Sequence, residues 1–517
     1  MTRQARTFAL SLFSFMPMVL LVTPMPAQAQ VTVIQVPSGG DLQGAINQAA
    51  AIVTGPTPTD VLIKVAPGTY VPKAFPGFEV SGINNPLFTV TLQSEEGPAV
   101  TIIDSSSVAN NGIRGFGTRN MVVDGFTIRN RIPDQTNFVG RGVFMRDATG
   151  ITVQHCHFDT TAHGTLFQIT DPTLSSHVSV VNNTGVVGQG TDPNAPGSAA
   201  GGGASMTLFF SPGTSVTGES RFVVADNVFR CTTSCVRYLN AVLDANGNAI
   251  GSFSNGSLEM SGNDVANSFF ATAGFNIIGG HGHVIAGNRI HDGISGGFFQ
   301  GAVSGVIENN VIFNNSEHAL FVTSFAPISQ DFPGEDRIIR HNTIVNNAGT
   351  GIVYVDSIGT QALLPNVYNN VIAFNDAGGV AAVEQTASTF AFIPVSFNVA
   401  KNDNYGNTLR NFGLSFSTVN YIGISNPSAA APDYSGVINT GLDLSVVPGF
   451  NAPQFQDFSL MPHSMLVNAG ITSRPTPFQD FAGHLRDAQP DIGAFEVVPT
   501  PIINVRSNPL RRGPKDQ

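Results

Sequence analysis

The sequence predicts an all-β fold, a right-handed parallel β-helix of about ten coils with a short N-terminal capping helix and a C-terminal cap. Three observations carry this prediction. A phrase of alternating apolar residues, a polar pair and a second apolar pair recurs between residues 119 and 400. The polar pair usually ends in asparagine. Successive copies are never closer than 22 residues but drift as far as 44 apart.

The clearest copies are RFVVADNVF (221–229), HVIAGNRI (283–290), SGVIENNVI (304–312), DRIIRHNTI (336–344) and LPNVYNNVI (364–372). Asn227, Asn288, Asn310, Asn342 and Asn370 hold the shared station in these, and Asn183, Asn263 and Asn398 extend it. Phe126 and Cys156 stand at the same place in two earlier copies. The steps are 30, 27, 44, 36, 25, 22, 32, 28 and 28 residues. A minimum near 22 with irregular additions suits a coil of three short strands whose turns admit loops of any size. A leucine-rich repeat needs regular leucines, whereas here the inward stations are Val, Ile and Phe. Helical repeats do not fit strings that alternate with period two.

Stacked coils lie about 4.8 Å apart, so a buried asparagine can bond its equivalents above and below. Its tolerance of left-handed backbone angles suits a tight turn. The asparagine row is therefore read as structural, and ten coils give a rod of about 50 Å.

Residues 1–29 read as a secretory signal: Arg3 and Arg6, an apolar stretch from Phe8 to Val22, then Ala27-Gln28-Ala29. Its removal moves the formal net charge from −11 to −13. That acidity, with no basic patch, argues against nucleic-acid binding. No later run is apolar enough for a membrane span. Charged residues make up only 11% of the chain against hydrophobics at 42%, as many short strands joined by Gly, Asn and Ser turns require. A solenoid adds coils without starting a new core, so one elongated, monomeric domain is expected. Of Cys156, Cys231 and Cys235, the last two could close a small disulfide.

Residues 30–110 form the entry cap and first coils, with VTVIQV as first strand and a helix from Leu42 to Val53 behind an Asp41 N-cap. The coils occupy 111–405, interrupted by a Gly/Ala/Ser-rich loop at 187–220 that holds SMTLFF as a strand. LDANGNAIGSF (243–253) reads as an Asn-Gly hairpin. Its Asp244-x-Asn246-x-Asn248 spacing allows calcium, but position twelve is Asn255 rather than glutamate, and a turn is the better account. Residues 406–497 supply the last coils and C-terminal cap, and 498–517 a polar tail.

AINQAA and DVLIKVAPGTY near the start, the Ile-x-x-Asn-x-Ile coils and the tail together resemble secreted bacterial β-helix proteins of the pectin-lyase-like superfamily. FSLMPHSMLVNAG (458–470) followed by DFAGHLRDAQPDIGAFEV (480–497) is similar to the closing motif of the choice-of-anchor Q class. Ile492, Ala494 and Val497 are expected in a final sealing strand, with Asp480, Arg486 and Asp491 paired around the turn before it. The resemblance implies a secreted, cell-surface or periplasmic protein that meets polysaccharide.

Enzymes of this fold that cut or epimerise acidic glycans work on one long sheet. Here that sheet should contain GVFMRD (142–147), TLFQIT (165–170), CVRYLN (235–240), GFFQG (297–301) and their equivalents. Setting the first apolar residue after each glycine inward leaves Phe144, Arg146, Phe167, Ile169, Arg237, Leu239 and Phe299 among the outward positions. Arg146 and Arg237 are the charged members of that set. If the protein is an enzyme, these arginines would hold a uronate carboxylate, with Asp147 or His163 as base. So thin a set favours instead a covered face, or a non-catalytic protein that interacts with polysaccharide or surface components. The alternative is a lyase, hydrolase or epimerase acting on acidic glycans. Gly280-His281-Gly282-His283 lacks the paired aspartates that a hydrolase places nearby. His155, His157 and Asp159 alternate on one strand but lack a further ligand. Glu317-His318 and His291-Asp292 read as ordinary loop pairs, and no cofactor is expected.

Overall fold

The recurring string of each copy forms one strand, the apolar pair after the asparagine a second, and the next string a third. The computed structural model describes residues 31–73, 77–107, 111–131, 140–160, 163–187, 206–210, 217–231, 234–243, 249–252, 255–267, 273–301, 303–324, 337–356, 365–376, 378–386, 389–391, 399–407, 415–416, 419–420, 443–472 and 475–498. The signal-like segment, most of the 187–220 loop, the Asp244–Asn248 turn and Asn398 lie outside these. One coil runs Arg119–Asp124, Thr127–Asn130 and Arg141–Arg146 before the next starts at Thr149–Gln154. Equivalent strands stack in parallel into sheets A, B and C, which hold 13, 12 and 12 strands, with one strand of sheet C, Thr389–Ala391, pairing antiparallel. The stack is deeper than ten coils because strands within residues 31–104 build coils before the asparagine copies begin. This is a right-handed parallel β-helix.

Register puts like on like. Ile63, Leu92, Val123, Val153, Val180, Val224, Met260, Ile285, Ile307, Ile339 and Val367 form one continuous inward row of sheet A, all buried. Burying each such side chain stabilises by roughly 1.5–3 kcal/mol. The N-terminal end is closed by helix α1 (Leu42–Thr54), which buries Leu42, Ala45, Ile46, Ala49 and Val53. Asp41 does stand at its N-cap but makes no side-chain capping bond; its carboxylate lies 3.6 Å from Lys73 instead.

The turn between sheets A and B carries the asparagine ladder. Asn183, Asn227, Asn263, Asn288, Asn310, Asn342, Asn370 and Asn402 each donate from Nδ2 to the Oδ1 of the next, or for the last to Asp443, at 2.8–3.5 Å. The backbone N–H of each also donates to that Oδ1, as Asn310 does to Asn342 at 3.0 Å. The second amide proton goes to a carbonyl of the coil before, as from Asn310 to Ile285 at 2.8 Å. Cys156 keeps the station and donates its backbone N–H to Asn183 Oδ1. Two expectations need correcting. The last rung is Asn402 rather than Asn398. The left-handed residue is the one before each rung: Asn182, Asp226, Asn309, His341, Asn369 and Lys401 have φ of 51–57°, and glycine serves at 262 and 287. A rung must aim its side chain into the turn, and the reversal is made one residue earlier.

A second ladder was not foreseen. Asn315, Asn347, Asn375 and Asn407 stack at the turn between sheets B and C with Nδ2–Oδ1 distances of 2.8–3.1 Å. Each sits five residues after a rung of the first.

In sheet C, Leu166 and Gln168 point outward while Phe167 and Ile169 are buried inward, and Phe298 rather than Phe299 faces out. The glycine rule fails because Thr165 and Gly297 take the inward stations. At Gly297 a Cβ would lie 2.1 Å from the ring of Phe275, its register partner, whose bulk fills both places. Met206–Phe210 is a strand as expected and takes a place in sheet C, Ala241–Leu243 pairs antiparallel with Ala249–Ser252, and Cys231 and Cys235 form the disulfide. Among the described residues no helix is long and apolar enough to cross a membrane.

The C-terminal segment seals apolar surface in two places, neither with the final strand expected. Leu444 bridges in parallel to Asp403 and so underlies the last coil. Residues 450–497 then run back as a strap over the outer face of sheet B. There Val311, Phe313, Val345, Val371 and Ala373 pack against Phe450, Phe458, Leu460, Leu466, Ile492 and Ala494. Strands VIF, TIV and VIA are buried on both faces, and need this cover.

The tail motif is the strap's docking device. Arg486 is buried, 2.9 Å from Glu496 and 2.9 Å from Asn309 Oδ1. Burial lowers the Arg486 pKa and raises that of Glu496, so desolvation works against the pair from both sides. Asp480 accepts from the His484 and Glu496 backbone, and Asp491 from Asn468 and Val497. Gly493 has a φ of 105°, and a Cβ there would stand 2.8 Å from Val371. The left-handed residues Asn309, His341 and Asn369 form the rail against which the strap lies.

Asn342→Ala should destabilise by about 1–3 kcal/mol by orphaning two neighbours in the stack, whereas Asn451→Ala, exposed on the strap, should leave a denaturation curve unmoved. Cys156→Asn should be neutral or stabilising, because its amide would extend the ladder toward Phe126; a loss above ~1 kcal/mol would contradict the rung geometry. Arg486→Ala leaves Glu496 buried and unpaired and should cost about 3–5 kcal/mol, with dye-binding apolar surface appearing as the strap lifts. An unchanged melting curve would show that the motif does not dock the strap.

Candidate functional site

At the N-terminal end of sheet C the outward residues alternate between arginine and phenylalanine; Arg114, Phe116 and Arg146 are partly exposed and Phe144 is buried. In NGIRGF (111–116) and RGVFMR (141–146) the outward stations hold Arg114 and Phe116, then Phe144 and Arg146. Parallel register sets Arg114 beside Phe144 and Phe116 beside Arg146, so the four make a checkerboard across adjacent strands. The Arg114 guanidinium lies 4.1 Å from the Phe116 ring centre, and Arg146 lies 5.2 Å from Phe116 and 5.9 Å from Phe144. Arg141, at the head of the second strand, lies 5.1 Å from Phe144. The rings meet edge to face at 6.1 Å. Cation–π contact and the Arg146 Nε bond to Gln168 at 3.2 Å hold these arginines in fixed directions. Burial first, and Arg146 second, lower the pKa of Arg141.

Of the residues singled out in the sequence, Arg146 and Asp147 arrive here together. Asp147 is at φ 50° and accepts from the Thr170 and Asp171 backbone at 2.6 and 2.9 Å and from the Thr170 hydroxyl. Its carboxylate braces the next turn. His163 is buried, with Nδ1 3.5 Å from Thr207 Oγ1 and its carbonyl accepting from Gly142. Arg237 shares the Phe144 row but sits three strands further on, about 14 Å at ordinary strand spacing. Burial lowers its pKa. Arg114 and Phe116 escaped sequence reasoning because the strand before GVFMRD was not included, and Arg141 because that strand starts one residue earlier than the segment GVFMRD. The period-two match of NGIRGF to RGVFMR was the available signal.

Glu79, with one oxygen 4.0 Å from Arg114, is the acid that the described residues set beside the platform. Its other oxygen accepts from Ser81. Further along sheet C, Phe298 and Phe321 are partly exposed, whereas Val353 and Val355 face out yet are 0% and 1% exposed. Phe298 and Phe321 meet edge to face at 5.5 Å, and His318 stacks on Phe321. Burial pushes the His318 pKa down to about 4.

The other constellations resolve as structure. His283 is buried between Tyr238 and Phe299, accepts from Leu258 N–H and pairs with the Gly279 carbonyl; burial pushes its pKa down to about 4. His155 pairs with Asp124, His157 with Thr184, and Asp159 with Arg129 and Arg131. His291 bridges Asp264 and Asp292 while stacked on Phe313. Among the described residues no group of three or more His, Cys, Asp or Glu could hold a metal ion.

One family model agrees with the fold. Residues 230–398 match the family model described as right-handed beta helix region. No curated protein matches the chain. Among solved structures it is similar to a hyperthermoactive exopolygalacturonase from Thermotoga maritima, at 12% identity over 69% of this chain and 92% of that one, TM-score 0.38. The periplasmic alginate epimerase AlgG aligns at 11% identity over 75% and 80%, TM-score 0.34. Pectate lyase Pel9A aligns at 12% over 91% and 97%, TM-score 0.35. Likeness this distant carries no activity across.

Proposed function

We propose that this protein is a secreted or surface-exposed β-helix that binds acidic polysaccharide without cutting it, through Arg114, Arg141 and Arg146 with Phe116 and Phe144. The supporting observation is the checkerboard itself. Guanidinium groups held on aromatic rings offer carboxylates bidentate partners with little ordering left to do, and the partly exposed Phe116 ring suits the apolar face of a sugar. A non-catalytic role is favoured because Asp147 and His163 are committed to the fold rather than free to move a proton. Export is supported by the signal-like first 29 residues and the Cys231–Cys235 disulfide. Glu79 beside Arg114 is the observation that favours a second reading, a lyase or epimerase on the same platform.

Affinity electrophoresis through gels containing a uronate polymer should retard the wild-type chain and not do so in a neutral glucan. Arg114→Ala/Arg146→Ala should weaken binding by tenfold or more, since each charge-assisted contact contributes about 1.5–3 kcal/mol. Equal mobility of wild type and variant would overturn the platform. Incubation with the same polymers should give no ultraviolet absorbance from unsaturated products. Absorbance that Glu79→Gln abolishes would establish the enzymatic reading instead.

A further inference from the structure

The first ladder ends on an acid. Asn402 donates its backbone N–H to Asp443 Oδ1 at 2.9 Å and its side-chain amide to the same oxygen at 3.5 Å, so Asp443 occupies the next rung. Asp403, one residue after the last asparagine, faces out of sheet B and accepts from Val446 N–H at 2.9 Å through its own Oδ1. Two carboxylates therefore join the end of the solenoid to the start of the strap. The bridge between Asp403 and Leu444 lies with them, through Leu444 N–H to Asn402 O at 2.8 Å and Asn404 N–H to Leu444 O at 3.0 Å.

Each carboxylate has one oxygen engaged and one not. Oδ2 of Asp403 and Oδ2 of Asp443 are both buried without a hydrogen-bond partner. Among the described residues, Lys401 and the acids themselves are the charged groups that act on the pair. An ionised oxygen buried without a donor is costly, and two near each other more so. A proton removes that cost.

We propose that the Asp403–Asp443 pair is a pH-operated clasp, holding the strap to the end of the solenoid while protonated and releasing it as both carboxylates ionise. Burial is the leading cause that pushes Asp403 up to about 7 and Asp443 up to about 6, with each acid's backbone donor, and Lys401 for Asp443, opposing it. Both folded values stand above the ordinary 3.8. The folded state therefore binds more protons than the unfolded between those limits. Its contribution is complete below about pH 4 and is lost as pH rises through 6 to 7. Release frees the Leu444 bridge and uncovers the edge of sheet B at Asp403–Tyr405, while the Arg486 motif keeps the rest of the strap in place.

The chain has no tryptophan, so Tyr405→Trp in the full-length protein gives a single reporter beside the clasp, where Tyr405 now meets Phe374 at 5.7 Å. Between pH 5 and pH 8 its emission should shift to the red and the melting temperature should fall by about 2–4 °C. In Tyr405→Trp/Asp403→Asn/Asp443→Asn, where amides replace both carboxylates, both changes should largely vanish. Emission and melting that ignore pH, or an equal response in the Asp403→Asn/Asp443→Asn background, would overturn the proposal. If the tryptophan variant does not fold, melting of the wild type against Asp403→Asn/Asp443→Asn across the same range decides between these outcomes.

Discussion

An amide buried in a turn must find every partner in the coils above and below, and this requirement organises the solenoid. Asn310 illustrates it: its side chain accepts from Asn288 and donates to Asn342 and Ile285, so three coils must keep register at that point. The turn is thereby held to one length through the stack. Extra chain can enter only at the other corners, which is why rungs are as near as 22 residues and as far as 44 apart while their hydrogen bonds stay at about 3 Å. The residue before each rung takes the left-handed backbone, and the row so produced is put to a second use. Asn309, His341 and Asn369 meet the strap.

Closure is the other constraint. A stacked solenoid must shield its ends, and here also one flank, because sheet B turns apolar on its outer face from Val311 onward. The residues of the tail motif read as answers to that geometry. Gly493 allows backbone to approach Val371, Arg486 enters a buried slot with Glu496, and Asp480 and Asp491 each tie two segments of the strap together. Arg486 and Glu496 are costly to bury, so the pair is better understood as fixing where the strap sits than as its source of affinity.

Much of this was legible in the chain. Periodic Val, Ile and Asn specify strands, turn and stacking together, so the fold class, the capping helix and the Met206–Phe210 strand could be read directly. The second ladder was equally written, five residues after each rung at 315, 347, 375 and 407, but was hidden by attention to the first. The triplets VIF, TIV and VIA, buried on both faces, carried the signal of a covered flank on sheet B, which the sequence analysis did not read. What could not be read was orientation where packing departs from rule. Phe275 displaces any side chain at 297, and Thr165 takes an inward station that its type does not announce. Site residues suffered most, because Asp147 and His163 have the chemistry of a base and the geometry of a scaffold.

The platform on sheet C takes its order from parallel register: arginines alternate with rings because Arg114 pairs with Phe144 and Phe116 with Arg146 on adjacent strands. The most direct test of the ladder's hold on the solenoid is hydrogen–deuterium exchange along the native chain, corrected for intrinsic rates. Peptides spanning the rungs at 309–311, 341–343 and 369–371 should exchange only as fast as global unfolding allows, with the exposed strap segment 461–465 exchanging well ahead of them. Rung peptides that exchange as freely as that segment would contradict the claim that the asparagine ladder holds the solenoid in register.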